Sequence, residues 1–185
     1  MSDETEVLSR SGIRALTAVA IGALVAVGLG AFAKVHEPQF FAVNLAGFSS
    51  PVAVKSWLAT VGVALACFQL ISAFAMYRLL PASRTPAWLP KAHVWAGRLA
   101  VLVTMPVAVH CLYALGFGSS DNRVLFHSLF GCFFYGVFAT KMLLLTSNRI
   151  RAWVVPVAGG TLFFALVYTW LTSALYFFQL NGLTL

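Results

Sequence analysis

Charge is scarce in this sequence. Only 9% of its 185 residues are Asp, Glu, Lys or Arg, while 61% are hydrophobic. Soluble proteins carry roughly 25% charged residues, so this chain cannot cover a soluble surface. Disorder is excluded by the same figures, because it requires low hydrophobicity and high charge. Cysteine is scarce as well, and 3 in the chain do not make a disulfide-built secreted scaffold. Acids are few: Asp3, Glu4, Glu6, Glu37 and Asp121 are the only ones, all expected at the edges of apolar segments. Proton-coupled transporters usually place such groups inside the membrane. Stretches such as 15–33 lack the alternation of a transmembrane β-barrel. Repeats and a separate soluble domain are not apparent. What remains is an all-α integral membrane protein, with mean hydropathy +0.89.

The charged residues punctuate the chain. Five of the windows without Asp, Glu, Lys or Arg read as spans: 15–33, 56–77, 99–120, 124–140 and 152–185. A helix needs about 20 residues to cross a hydrocarbon core of roughly 30 Å. The fourth window is short, but Arg123 and Lys141 at its ends can snorkel to the interfaces. The sequence therefore predicts a single transmembrane domain over 1–185 with five spans, about 14–34, 54–79, 92–117, 124–146 and 154–179. With the N-terminus cytoplasmic, the inner side holds Arg10, Arg14, Arg78, Arg84, Lys91, Arg98, Lys141, Arg149 and Arg151. The outer side then holds only Lys34, Lys55 and Arg123. That bias obeys the positive-inside rule and puts the C-terminus outside. The expected location is a plasma membrane of bacterial type. The net charge of +7 then reports topology and contact with anionic lipid, and no nucleic-acid partner is expected. Ala31-Phe32-Ala33 looks like a signal-peptide cleavage site, but the apolar core before it is too long; the first span is expected to be retained. The loop 35–53, with Pro38, Phe40, Phe41, Phe48 and Pro51, reads as a segment lying on the outer membrane surface. The turn 118–123 makes spans three and four an antiparallel hairpin.

Polar side chains inside a membrane are the first place to look for function. The histidines are His36, His93, His110 and His127. Positions 110 and 127 are equidistant from the hairpin tip, so His110 and His127 lie at matched depth, on the order of 10 Å below the outer ends of their spans. Two imidazoles so placed can take the two faces of one haem iron or hold another metal ion. Haem suits an apolar, aromatic bundle better, and two His without an acid or thiolate are poor for structural zinc. Bis-His ligation requires backbones further apart than the roughly 8–10 Å of packed helices, so the hairpin must splay or one ligand must face a diagonal helix. Interhelical hydrogen bonding is the plain alternative for both residues. His36 lies near the outer surface and is a third candidate. His93 precedes His110 on the same span by about 25 Å of axial rise, near the inner surface, where Met142 is at comparable depth. The plain reading of His93 is an interfacial histidine beside Lys91. Phe126, Phe130, Phe133, Phe134 and Tyr135 either line a pocket near His127 or face lipid. Gly97, Gly131, Gly136, Gly159 and Gly160 either admit a porphyrin edge or a neighbouring helix. Cys67, Cys111 and Cys132 fall inside spans, where small buried residues are the default.

The motif His93-Val94-Trp95-Ala96-Gly97-Arg98, followed by His110 and then by His127-Ser128-Leu129-Phe130-Gly131, resembles the cytochrome b561 and ferric-reductase-like transmembrane families. It is also similar to small actinobacterial membrane proteins with the same hairpin. The similarity covers about residues 91–142. It implies haem b between His110 and His127, with His93 at the motif position of a second, inner haem. Arg98 snorkels to the inner surface or, with an inner haem present, pairs its propionate. The fourth ligand of a two-haem arrangement is absent, and the spacing of His93 from His110 is wider than usual. The expectation is therefore a b-type haem protein in electron transfer, exchanging electrons with a quinone or an outer redox partner. No flavin or nicotinamide motif follows, so any reductase activity would need a separate partner. The rival expectation is a cofactor-free accessory subunit of a larger respiratory complex.

Overall fold

A computed structural model of the chain describes residues 2–40, 44–81, 85–147 and 151–185, and side chains from residue 12 onward. Phe41, Arg84 and Arg149 lie outside the described residues, as do the side chains of Asp3, Glu4, Glu6 and Arg10. All regular structure among the described residues is helical: α1 (Ser2–Val35), α2 (Pro51–Met76), α3 (Leu89–Leu115), α4 (Asn122–Leu145) and α5 (Val154–Asn181). Each of the five contains a segment long and apolar enough to cross a membrane; in α1 it is Gly12–Val35. The spans read from the charges agree with these bounds to within a few residues.

Local chemistry sets the helix ends. The Ser50 hydroxyl accepts from the Ala53 N–H at 3.1 Å, and Pro51 follows at the first helical position, so α2 starts earlier than its apolar window. Asp121 caps α4 in the same way, accepting from the Val124 N–H at 2.9 Å. Two helices change pitch near one end of the bundle. His110–Leu115 of α3 and Leu171–Leu175 of α5 are π-helical. Gly116 ends α3 with φ +76°. A Cβ there would lie 3.0 Å from the Ala33 carbonyl oxygen, which accepts from the Phe117 N–H at 2.8 Å. The third span can therefore turn against the end of α1 only with glycine at this position.

The helices form a ring. α1 packs on α4, α4 on α5, α5 on α2 and α2 on α3, and the π-helical end of α3 returns to α1. The consecutive helices α3 and α4 are not close-packed partners, although the short turn joins them as a hairpin. Pro106 and the π-turn, both features that bend helices, lie in the C-terminal half of α3. The tightest contact is α1 on α4, where a Cβ on Gly136 would lie 2.5 Å from the Gly22 carbonyl oxygen. In lipid there is no hydrophobic force between helices, so such backbone approach and interhelical hydrogen bonds hold the bundle. The Thr140 hydroxyl donates to the Ala18 carbonyl (α4 to α1), Trp170 Nε1 to the Thr60 hydroxyl (α5 to α2), and the Tyr135 hydroxyl to the Thr104 carbonyl at 3.0 Å (α4 to α3). A small core of Ala66, Phe134, Ala165 and Leu166 sits between them, while Leu16, Leu24 and Val27 of α1 face outward.

Candidate functional site

The ring encloses a cavity of about 380 Å³, within the ~300–1,000 Å³ typical of small-molecule sites. All five helices line it, through the last turn of α1, the first turns of α2, the end of α3, the start of α4 and the end of α5. It therefore lies at the end of the bundle that carries the 36–40, 44–50 and 116–121 segments. Both π-helical segments border it, through Cys111, Leu112 and Leu115 on one side and Ser173 on the other. Such segments concentrate at functional sites because the wider turn re-aims side chains.

His127 is on the cavity wall. Its Nδ1 lies 3.2 Å from the Thr169 carbonyl oxygen and 3.2 Å from the Thr172 hydroxyl. A carbonyl only accepts, so Nδ1 carries the proton and Nε2 keeps a lone pair. Nε2 has no hydrogen-bond partner among the described residues. A neutral imidazole held by a backbone carbonyl on one nitrogen is the form that ligates through the other. One turn further along α4, Gly131 also lines the cavity, and a Cβ added there would meet nothing within 4 Å. The open space beside His127 is thus preserved by a missing side chain.

His110 is placed differently. It is half-buried, and it does not line the cavity. The cavity face of α3 is Thr104, Val107, Ala108, Cys111, Leu112 and Leu115, spaced by three and four as one helical face must be. His110 falls beside that face. The matched depth of His110 and His127 thus does not bring both rings to one pocket. The packing reason is that α3 leans on α2 and α1 rather than on α4. His93 is at the opposite end of the bundle, between α2 and α3. Its Nδ1 lies 2.7 Å from the Ser72 hydroxyl, and Gln69 Nε2 donates to its carbonyl oxygen. Met142 lies on an exposed face of α4. His36 is stacked between Phe32 and Tyr113, at centroid distances of 4.9 and 4.5 Å, with its Nε2 buried and without a hydrogen-bond partner among the described residues. Among the described residues no group of three or more His, Cys, Asp or Glu could hold a metal ion. A bare ion would therefore find too few donors, whereas haem brings its own four nitrogens and needs only axial ligands.

The neighbours sort accordingly. Phe134 and Tyr135 line the cavity, whereas Phe126 and Phe133 are exposed. Phe130 packs on Tyr168 at 4.3 Å. Cys111 and Cys132 line the cavity, and Cys67 is exposed. Arg98 lies over the Trp95 ring at 5.1 Å. Among the described residues two cations face the cavity, Lys55 and Arg123, and no acid does. Arg123 Nη1 donates to the Thr172 carbonyl at 2.8 Å, and its guanidinium lies over the Tyr176 ring at 4.0 Å. Thr169 and Thr172 do not stand out in the sequence; their spacing by three, which puts both on one face of α5, is the available signal.

No curated protein and no solved structure matches the chain. The model of DUF6529, described as a family of unknown function, matches residues 15–185, nearly the whole sequence, and the chain belongs to that family.

Proposed function

We propose that the chain is a membrane-embedded b-type haem protein that takes part in electron transfer, with His127 as the axial ligand of a haem in the five-helix cavity. The observation that carries the reading is the His127 ring itself: Nδ1 held by Thr169 and Thr172, Nε2 without a partner, on the wall of an apolar cavity. The residues fit the group in three respects. His127 supplies a neutral donor, Gly131 leaves room beside it, and Lys55 supplies a cation for a carboxylate. When bound, haem supplies a one-electron redox centre; the protein excludes water and fixes the imidazole. His110 is the reserve ligand, since it lies at the right depth but off the cavity face. A second, inner haem at His93 has less support, because that ring is engaged with Ser72. A quinone or a partner subunit at the same end of the bundle is the natural electron partner, given where the cavity lies.

The rival reading, a cofactor-free accessory subunit of a larger membrane complex, draws on the same hydrogen bonds. His93 with Ser72 and His127 with Thr172 both tie one helix to another, as packing histidines do. Pigment separates the two. Protein produced with ample haem and purified in detergent is expected to show Soret and α-band changes on dithionite reduction. His127→Ala removes them, while His110→Ala retains bound pigment. A colourless wild-type protein, or a His127→Ala spectrum identical to wild type, refutes the haem reading.

A further inference from the structure

The cavity contains an electrostatic imbalance that His127 does not explain. Its walls are mostly apolar, yet Lys55 lines it from the first turns of α2. No hydrogen bond or ion pair ties Lys55 to another described residue, and no Asp or Glu among the described residues lines the cavity. Lys55 is half-buried and contributes to the cavity wall rather than lying wholly on the lipid face. The other cation differs. Arg123 already gives Nη1 to the Thr172 carbonyl and covers Tyr176, so it is part of the wall. An ammonium at an apolar cavity is costly unless an anion or hydrogen-bond acceptors complete it. Nothing among the described residues completes Lys55.

We propose that Lys55 selects the ligand of this cavity by its acid group, and that the ligand class is an amphiphile with an apolar body and a carboxylate. A carboxylate carries one charge, which one ammonium balances; the apolar remainder fits the Leu112, Leu115, Val124 and Leu166 surfaces. Two sources share this chemistry, the propionate of a porphyrin and the head of a fatty acid. The first source rests on the haem reading above; the second does not.

The test uses the intact protein in lipid nanodiscs, with empty nanodiscs subtracted. One arm titrates iron protoporphyrin against its dimethyl ester, read at the Soret band. The other titrates cis-parinaric acid against its methyl ester, read by fluorescence. In at least one arm the wild-type protein is expected to prefer the acid by about tenfold, the worth of one charge-assisted hydrogen bond. Lys55→Gln brings the acid down to the affinity of the ester and leaves the ester unchanged, which also shows that the variant is folded. Equal binding of acid and ester in both arms, no binding in either, or a preference that survives Lys55→Gln overturns the inference. The two proposals fail separately. Preference for parinaric acid with no His127-dependent haem spectrum leaves Lys55 standing without haem. His127-dependent haem binding that ignores esterification, with no acid preference in the fatty-acid arm, leaves haem standing without Lys55.

Discussion

At the scale of single residues, depth and direction are different kinds of information. Depth along a helix is counted at about 1.5 Å per residue, so the sequence places His110 and His127 at one level. Direction depends on which neighbour each helix chooses, and apolar helices of similar composition do not announce that choice. The structure turns His127 to the cavity and leaves His110 one position off the cavity face of α3. Two other residues make predictions at this scale. Gly116 has φ +76° and ψ −173°, a region open in practice to glycine alone. Gly116→Ala is expected to destabilise the protein by about 1–3 kcal/mol, read as a lower denaturant midpoint in detergent. Asp121 caps α4 from an exposed turn. The Val124 N–H, donating to its Oδ1, holds its carboxyl below the ordinary carboxylate range, helped by Arg123. A depressed folded pKa gives stability that is present above the unfolded value, about 3.9, and is lost as pH falls through the folded one. Hydrogen exchange at the Val124 amide, corrected for its intrinsic rate, should stay protected down to that range and open below it. Equal opening in Asp121→Asn at neutral pH and at pH 3 is expected, since that side chain does not titrate.

At the scale of elements, five helices and their approximate ends were legible because charges are rare and sit at boundaries. The finer ends were set by caps, as with Ser50 and Pro51 ahead of α2. The π-helical turns in α3 and α5 were not legible, since no residue pattern marks them. The order of the ring was not legible either. The pairing of α1 with α4 rests on Gly22 meeting Gly136, two glycines 114 positions apart with no local signature. That pairing predicts that Gly136→Leu separates α1 from α4. Its expected signature is faster proteolysis between α1 and α2 and a loss of thermal stability in detergent. Gly160, where an added Cβ meets nothing within 4 Å, is the control position, and Gly160→Leu is expected to leave both unchanged.

At the scale of the whole molecule, the few charges do two jobs. Most mark the ends of spans. Lys55 and Arg123 also border a cavity that no acid among the described residues lines, a role that their positions at span ends do not announce. The ring leaves its interior open at one end because α3 and α4 stand apart and α4 presents Gly131 there. The account's central claim is that this space is a haem site ligated by His127. It is tested most directly by the ratio of haem to protein in wild type, His127→Ala and Gly131→Leu, purified side by side. Leucine at 131, one turn from His127 on the same face of α4, takes up the space beside the histidine. The account predicts stoichiometric haem in the wild type and little in either variant, with all three eluting as folded, monodisperse protein. Folded wild type without haem, or full haem in His127→Ala, would contradict it.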